Sequence, residues 1–246
     1  MSKKLAAVVC AVVLGSLVMS CTKGDTGPGG PAGSDGGYVV SFQEGVQPYA
    51  SYAGVADTRI ANGVYLNGNL GAGQDLYTGS ANTALKLRFL VKFDLSGVVP
   101  ATATVSKAYL TVYAGTSRIG NFNIAAYRMT SQWDEGTKTV YTDPADGATW
   151  VSRTASAMWT TQGGDYAASA VSDSPVFPAN TGDAVTLSLD AAMVTSWLNS
   201  PSTNYGVILI GSQESDTSTD NYSAILTSEY TTNLLQRPKL TVYLKP

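Results

Sequence analysis

Histidine is absent from the 246 residues. That excludes Ser-His-Asp and Cys-His nucleophilic catalysis, and every histidine-ligated zinc, copper or iron site. Cysteine is nearly absent. Cys10 and Cys21 both fall in the first 21 residues, so no disulfide staples the remainder and packing alone must hold it together. Charged residues make up only 13% of the chain. With 15 basic against 18 acidic side chains, there is no basic face for nucleic acid. The chemistry left is that of carboxylates, of oxygen-ligated Ca²⁺ or Mg²⁺, and of binding without catalysis. Hydrophobic residues reach 44%, enough for a full core. Thr, Ser, Ala, Gly and Tyr fill the space that charge leaves, the composition of an exported β protein.

The N-terminus states the address. Lys3 and Lys4 precede an apolar run over residues 5–18, and Leu17-Val18-Met19-Ser20 stand directly before Cys21. A charged start, a short apolar core and small residues at the cut describe an export signal, too short to span a membrane comfortably. With cysteine at the cut, the segment resembles a bacterial lipoprotein signal with its lipobox. The resemblance implies a signal peptide over residues 1–20 and covalent lipid on Cys21, which becomes the new N-terminus. Two or three acyl chains, at about 0.8 kcal/mol per buried methylene, give a stable membrane anchor. The chain would then touch membrane through its lipid alone. Thr22 stands where an aspartate signals inner-membrane retention in that family, so the outer membrane or cell surface is the expected destination. After cleavage, 13 basic side chains face 18 acidic ones.

Residues 24–35 form four Gly-X-Y triplets, closed by Gly36. Glycine at every third position is what a collagen triple helix requires at its axis. Four triplets are too few to be stable alone, so residues 21–37 read first as a flexible spacer, with a homotrimerising stalk as the alternative. From Tyr38 on, short strand-like runs alternate with turn residues, at 38–42, 58–60, 88–93, 107–113, 122–128, 184–188, 206–210, 224–228 and 239–243. In the 107–113 run, Lys107, Tyr109, Thr111 and Tyr113 share one face while Ala108, Leu110 and Val112 share the other. One helix interrupts near 190–199. Asp190 can cap it, Met193, Val194, Trp197 and Leu198 form its apolar face, and Pro201 ends it. Many short strands and one helix predict an all-β fold, an antiparallel β-sandwich of jelly-roll type, as a single domain over residues 38–246. The long stretch 132–181 is the expected place for an added binding surface.

Several segments, in this order, resemble the DNRLRE domain, a family related to the carbohydrate-binding module of archaeal disaggregatases and some polysaccharide lyases. They are Asp57-Thr58-Arg59-Ile60, Asn67-Gly68-Asn69-Leu70-Gly71, Arg88-Phe89-Leu90-Val91-Lys92-Phe93-Asp94-Leu95, Tyr127-Arg128-Met129-Thr130, Trp133-Asp134-Glu135-Gly136, Gly163-Gly164-Asp165-Tyr166, Asn204-Tyr205-Gly206-Val207 and Arg237-Pro238-Lys239-Leu240. The resemblance spans nearly all of residues 42–244. It implies a jelly roll that binds polysaccharide at a cell surface, with Ca²⁺ as a structural ion. Where the family shows Thr-Trp followed by asparagines, this chain has Thr149-Trp150-Val151-Ser152-Arg153.

Sugar binding uses aromatic faces against the C–H face of a pyranose, and polar groups for its hydroxyls. Trp133, Trp150 and Trp159 lie in polar, Gly-rich sequence, with Tyr141, Arg153 and Tyr166 nearby, and are the carbohydrate-binding candidates, the tryptophans otherwise plugging the sandwich edge; Trp197 belongs to the helix core. Asp57, Asp94, Asp165 and Glu229 border strands and turns and are the Ca²⁺ candidates, each otherwise a turn cap. Arg88, Lys92, Arg128 and Arg153 offer cations to an acidic polysaccharide, although Arg88 and Lys92 equally suit an outward, solvated strand face. Asp94, Glu135, Asp165 and Glu229 are available to a glycosidase, yet no local sequence singles out an acid–nucleophile pair. The expected function is therefore non-catalytic polysaccharide binding. A structural or adhesive surface subunit and a polysaccharide-degrading enzyme are the alternatives.

Overall fold

Phe42, Leu110, Leu240 and Leu187 are fully buried, and each comes from a different strand of one sheet. The computed structural model describes residues 37–245 apart from 82–83, 142–145 and 217; the signal segment, Cys21 and the Gly-X-Y triplets lie outside the described residues. In chain order the strands are β1 (Val39–Gln43), β2 (Val55–Ala61), β3 (Asp75–Ala81), β4 (Leu85–Phe93), β5 (Val105–Tyr113), β6 (Ile124–Met129), β7 (Tyr166–Ala170), β8 (Ala184–Leu189), β9 (Val207–Gly211), β10 (Asn221–Leu226) and β11 (Lys239–Leu244), with α1 (Ala191–Asn199) after β8.

The four-stranded sheet runs β1-β11-β5-β8, and the seven-stranded sheet runs β10-β3-β4-β9-β6-β7, with β2 paired to β4. Every pairing is antiparallel. Read along the chain, β4, β6, β7 and β9 fall in one sheet and β1, β5, β8 and β11 in the other. This is the wrapped path of a jelly roll, as expected. Ala108, Leu110 and Val112 turn inward and join Phe89, Val91 and Phe93 of β4 in the core between the sheets. The α1 helix closes one end of that core. The Asp190 carboxylate accepts from Ala192 N at 2.8 Å, capping the helix, and Met193, Val194, Trp197 and Leu198 are buried beneath it. Strands β3 and β7 fall outside the expected runs. Gly79 and Ser80 interrupt the apolar alternation of β3, and β7 is Tyr-Ala-Ala-Ser-Ala, almost without branched residues.

A second core lies on the outer face of the seven-stranded sheet. Ile60, Leu90, Met129 and Ile208 project from four adjacent strands, and the stretch after β6 folds across them with Trp133, Ala148, Trp150 and Trp159. The strand β4 is therefore buried on both faces. That corrects the expectation that Arg88 and Lys92 stand in solvent. Arg88 is buried, and the half-buried Lys92 lies over the Trp133 ring, donating from Nζ to the Trp133 carbonyl at 2.8 Å.

Candidate functional site

The outward face of β6 and the start of β7 place two tyrosines side by side. Tyr127 and Tyr166 are half-buried, with ring centroids 5.6 Å apart and planes at 66°. They border a groove of about 840 Å³ whose remaining walls come from Arg88, Glu214, Ile210 and the polar segment Thr160 to Asp165. Its size suits a few sugar rings, and its mixture of ring faces and convergent polar groups is that of a ligand site.

One wall is a fixed ion pair. Arg88 Nε donates to Glu214 Oε1 at 2.5 Å and its terminal nitrogen to Oε2 at 2.6 Å, the two-pronged geometry of the strongest charge-assisted pairs. The guanidinium also donates to the Gly163 carbonyl at 2.6 Å and lies 4.7 Å from the Trp150 ring centroid. Burial alone would lower the Arg88 pKa, but Glu214 holds it above the ordinary value. Gly163 is required where it stands. Its φ is +92°, and a β-carbon there would come within 2.6 Å of the guanidinium and 2.8 Å of Trp150.

A second wall is built on Asp165. Its carboxylate accepts from Thr160 N at 3.0 Å, Thr161 N at 2.9 Å and the Ser131 hydroxyl at 3.0 Å. Partial burial works against its charge, yet these donors outweigh that effect and keep its pKa below the usual carboxylate value. Thr130, Thr160, Thr161 and Gln162 stay exposed along the rim.

The three loop tryptophans expected as sugar platforms are not in that role. Trp133 is 0% exposed, Trp150 9% and Trp159 5%. Trp133 Nε1 donates to the Tyr205 carbonyl and Trp159 Nε1 to the Thr149 carbonyl, each at 2.8 Å. Ile60, Leu90, Met129 and Ile208 form a surface too apolar to leave in water, and the tryptophans cover it. Trp150 still serves the groove indirectly, as the plate beneath Arg88. Arg153 lies apart from the groove, bonded to the Gln132 carbonyl at 3.2 Å, and Tyr141 stacks on Tyr65 at 4.3 Å. Of Trp133, Trp150, Trp159, Tyr166 and Arg153, Tyr166 lines the groove, and so does Arg88, which the sequence offers as a cation for an acidic polysaccharide. Tyr127, which stands in a segment of the family resemblance, and Glu214, whose loop reads in sequence as either a chelator or a solvated turn, are not assigned to a sugar site by the sequence, although Tyr127 shares β6's outward face with Met129.

The expected metal residues divide. Asp94 is exposed and accepts from Ser96 N at 2.9 Å, and Asp165 organises the groove wall; both are turn caps. Asp57 and Glu229 come together, and Glu135 joins them. One carboxylate oxygen from each of the three lies within 4.8 Å of the others. Asp57 sits on β2, Glu135 follows Trp133 at the start of the covering stretch, and Glu229 lies in the turn after β10. Asp57 is wholly buried. Burial and the neighbouring Glu229 and Glu135 push its carboxyl well above the ordinary range. Burial raises Glu229 as well, and raises Glu135 to about 7.

Residues 48–165 match the family model for carbohydrate-binding module family 96. The matched span covers β2 to β6 and the covering stretch as far as Asp165, so it holds Arg88, Tyr127, the loop tryptophans and Asp165. Tyr166, Glu214 and Glu229 lie beyond it. The chain thus carries a carbohydrate-binding-module-like β-sandwich. A search of curated proteins found no match.

Proposed function

We propose that this protein is a surface lipoprotein whose β-sandwich binds polysaccharide without cleaving it, in the groove floored by Tyr127 and Tyr166. The observation that carries the reading is the groove itself: two adjoining tyrosine rings, flanked by fixed hydrogen-bonding groups, in a fold with a carbohydrate-binding family match. The carboxylates there suit binding better than catalysis. Glu214 is paired to Arg88 through both oxygens, and the Asp165 carboxylate accepts from three donors, so both are committed to contacts that shape the groove.

The fixed charges also speak to the ligand. Arg88 is matched by Glu214, Lys92 is turned onto Trp133 and Arg153 onto Gln132, which leaves Asp165 as the uncompensated charge lining the groove. A polyanion would meet net negative charge, so neutral polysaccharides rich in hydroxyls fit better than acidic ones. Affinity gels containing a panel of neutral glycans, with alginate and chondroitin alongside, test this. Retention on a neutral glycan is expected to fall about tenfold or more in Tyr166→Ala and in Tyr127→Ala, with melting temperature little changed. Unaltered retention in both variants would remove the groove from the mechanism. No retention on any glycan would favour the adhesive-subunit reading and a protein partner.

The sequence supports the rest of the proposal. Cleavage before Cys21 and acylation of its thiol would anchor the chain, and the Gly-X-Y segment would hold the sandwich off the membrane as a spacer. Labelled palmitate is expected to enter the full-length chain and to be lost in Cys21→Ser.

A further inference from the structure

We propose that Asp57, Glu135 and Glu229 form a binding site for a divalent cation, Ca²⁺, that clasps the covering stretch to the sheet. The geometry is that of a shared ion. Two oxygens bound to one Ca²⁺ at about 2.4 Å can be no more than about 4.8 Å apart. The three carboxylates satisfy that limit mutually.

Each carboxylate is fixed through one oxygen. Asp57 Oδ2 accepts from Ser228 N at 2.8 Å, Glu229 Oε1 from the Ser228 hydroxyl at 3.0 Å, and Glu135 Oε1 from Asp57 N at 2.6 Å. The remaining oxygens of the first two, Asp57 Oδ1 and Glu229 Oε2, are buried without any hydrogen-bond partner. Orphaned buried acceptors are rare in folded proteins, and here two of them belong to one acidic cluster. Asp57 is 0% exposed, so bulk solvent does not reach it.

Nearby protein cations do not neutralise the cluster. Lys92 is bonded to the Trp133 carbonyl, and Arg237 donates to the carbonyls of Tyr230 and Glu44. Neither makes a salt bridge to the three carboxylates; the two ion pairs among the described residues are elsewhere. An uncompensated buried charge is expensive, and it is met either by protons or by a cation. A set made only of carboxylate oxygens, with no nitrogen or sulfur, selects a hard cation. Ligands drawn from a strand, a loop and a turn suit the adaptable coordination of Ca²⁺ better than the strict octahedron of Mg²⁺. The cation would join β2 to Glu135, two residues beyond Trp133, and to the turn after β10. It would thereby secure the stretch that carries one wall of the groove.

Calcium binding to the full chain, stripped with EDTA and then titrated with Ca²⁺ alone, tests the site. Equilibrium dialysis should find one ion per chain, with melting temperature rising by several degrees in millimolar Ca²⁺ and less in equal Mg²⁺. Asp57→Asn and Glu135→Gln should each abolish both the bound ion and the shift. These changes reduce the charge that burial penalises, so the variants are expected to stay folded without metal, and near-ultraviolet circular dichroism checks that they do. If the stripped chain binds no Ca²⁺ and melts identically with and without it, the cluster is held by protons and the proposal falls. Binding that survives in both folded variants overturns it equally. Neither readout involves glycan, so the outcome is independent of the polysaccharide reading.

Discussion

Trp133→Ala is expected to lower unfolding free energy by about 3–5 kcal/mol, the range for removing a large buried aromatic from a well-packed core. The side chain is wholly buried under the stretch that follows β6. Its loss does more than open a cavity. The Tyr205 carbonyl loses its donor, and Lys92 loses the ring over which its ammonium lies at 4.5 Å. In a domain of this size the melting temperature should fall by roughly 2–4 °C for each kcal/mol. Trp133→Phe keeps much of the volume and removes the N–H, so it should cost about 1–3 kcal/mol, the penalty for leaving a buried acceptor unpaired. Urea denaturation of the two variants separates packing from hydrogen bonding. A cost below 1 kcal/mol for Trp133→Ala would mean that the covering stretch is not part of the cooperative fold.

The second large effect is expected at Glu214. Glu214→Ala leaves the Arg88 guanidinium buried against the Gly163 carbonyl and the Trp150 and Tyr166 rings but without a counter-charge, and breaking such a pair on one side costs about 3–5 kcal/mol. Removing both charges is a different experiment. The double variant Arg88→Met with Glu214→Leu should recover most of the lost stability, because apolar replacements of a buried pair are often near neutral. It should not recover binding, since the groove loses its fixed charged wall. Denaturation and affinity-gel retention read on the same two proteins therefore distinguish a stabilising pair from one that also serves the ligand. Full retention by the double variant would assign the pair to stability alone.

Much of this architecture was legible residue by residue. The alternation of Ala108, Leu110 and Val112 identified the inner face of β5, and Asp190 with Met193, Val194, Trp197 and Leu198 defined α1 and its packing. The jelly-roll expectation followed from such local signals. The position of the tryptophans is not decided locally, because polar, Gly-rich neighbours suit an exposed platform and a plug at the sandwich edge alike. The signal for a plug stood on β4. Phe89, Val91 and Phe93 fill one face while Leu90 lies between Arg88 and Lys92 on the other, the apolar character of a strand covered on both sides. Asp57 and Glu229 were identified singly. Their meeting with Glu135 depends on how β2, the covering stretch and the turn after β10 converge, which no spacing along the chain encodes. Tyr166 was found as an aromatic near a Gly-Gly turn. Tyr127 became its partner only once β6 and β7 were paired.

The pairing of β1 has a mechanical side. It is an edge strand, joined to the sandwich through β11 alone over five residue pairs, with Phe42 seated in the core. The tyrosine groove lies on the other sheet. If the chain is held at its N-terminal side and a ligand pulls at the groove, the force enters through that single short ladder. Overload would draw out β1 before it disturbed the strands that shape the groove, so the first element to yield belongs to the sheet that does not carry the ligand.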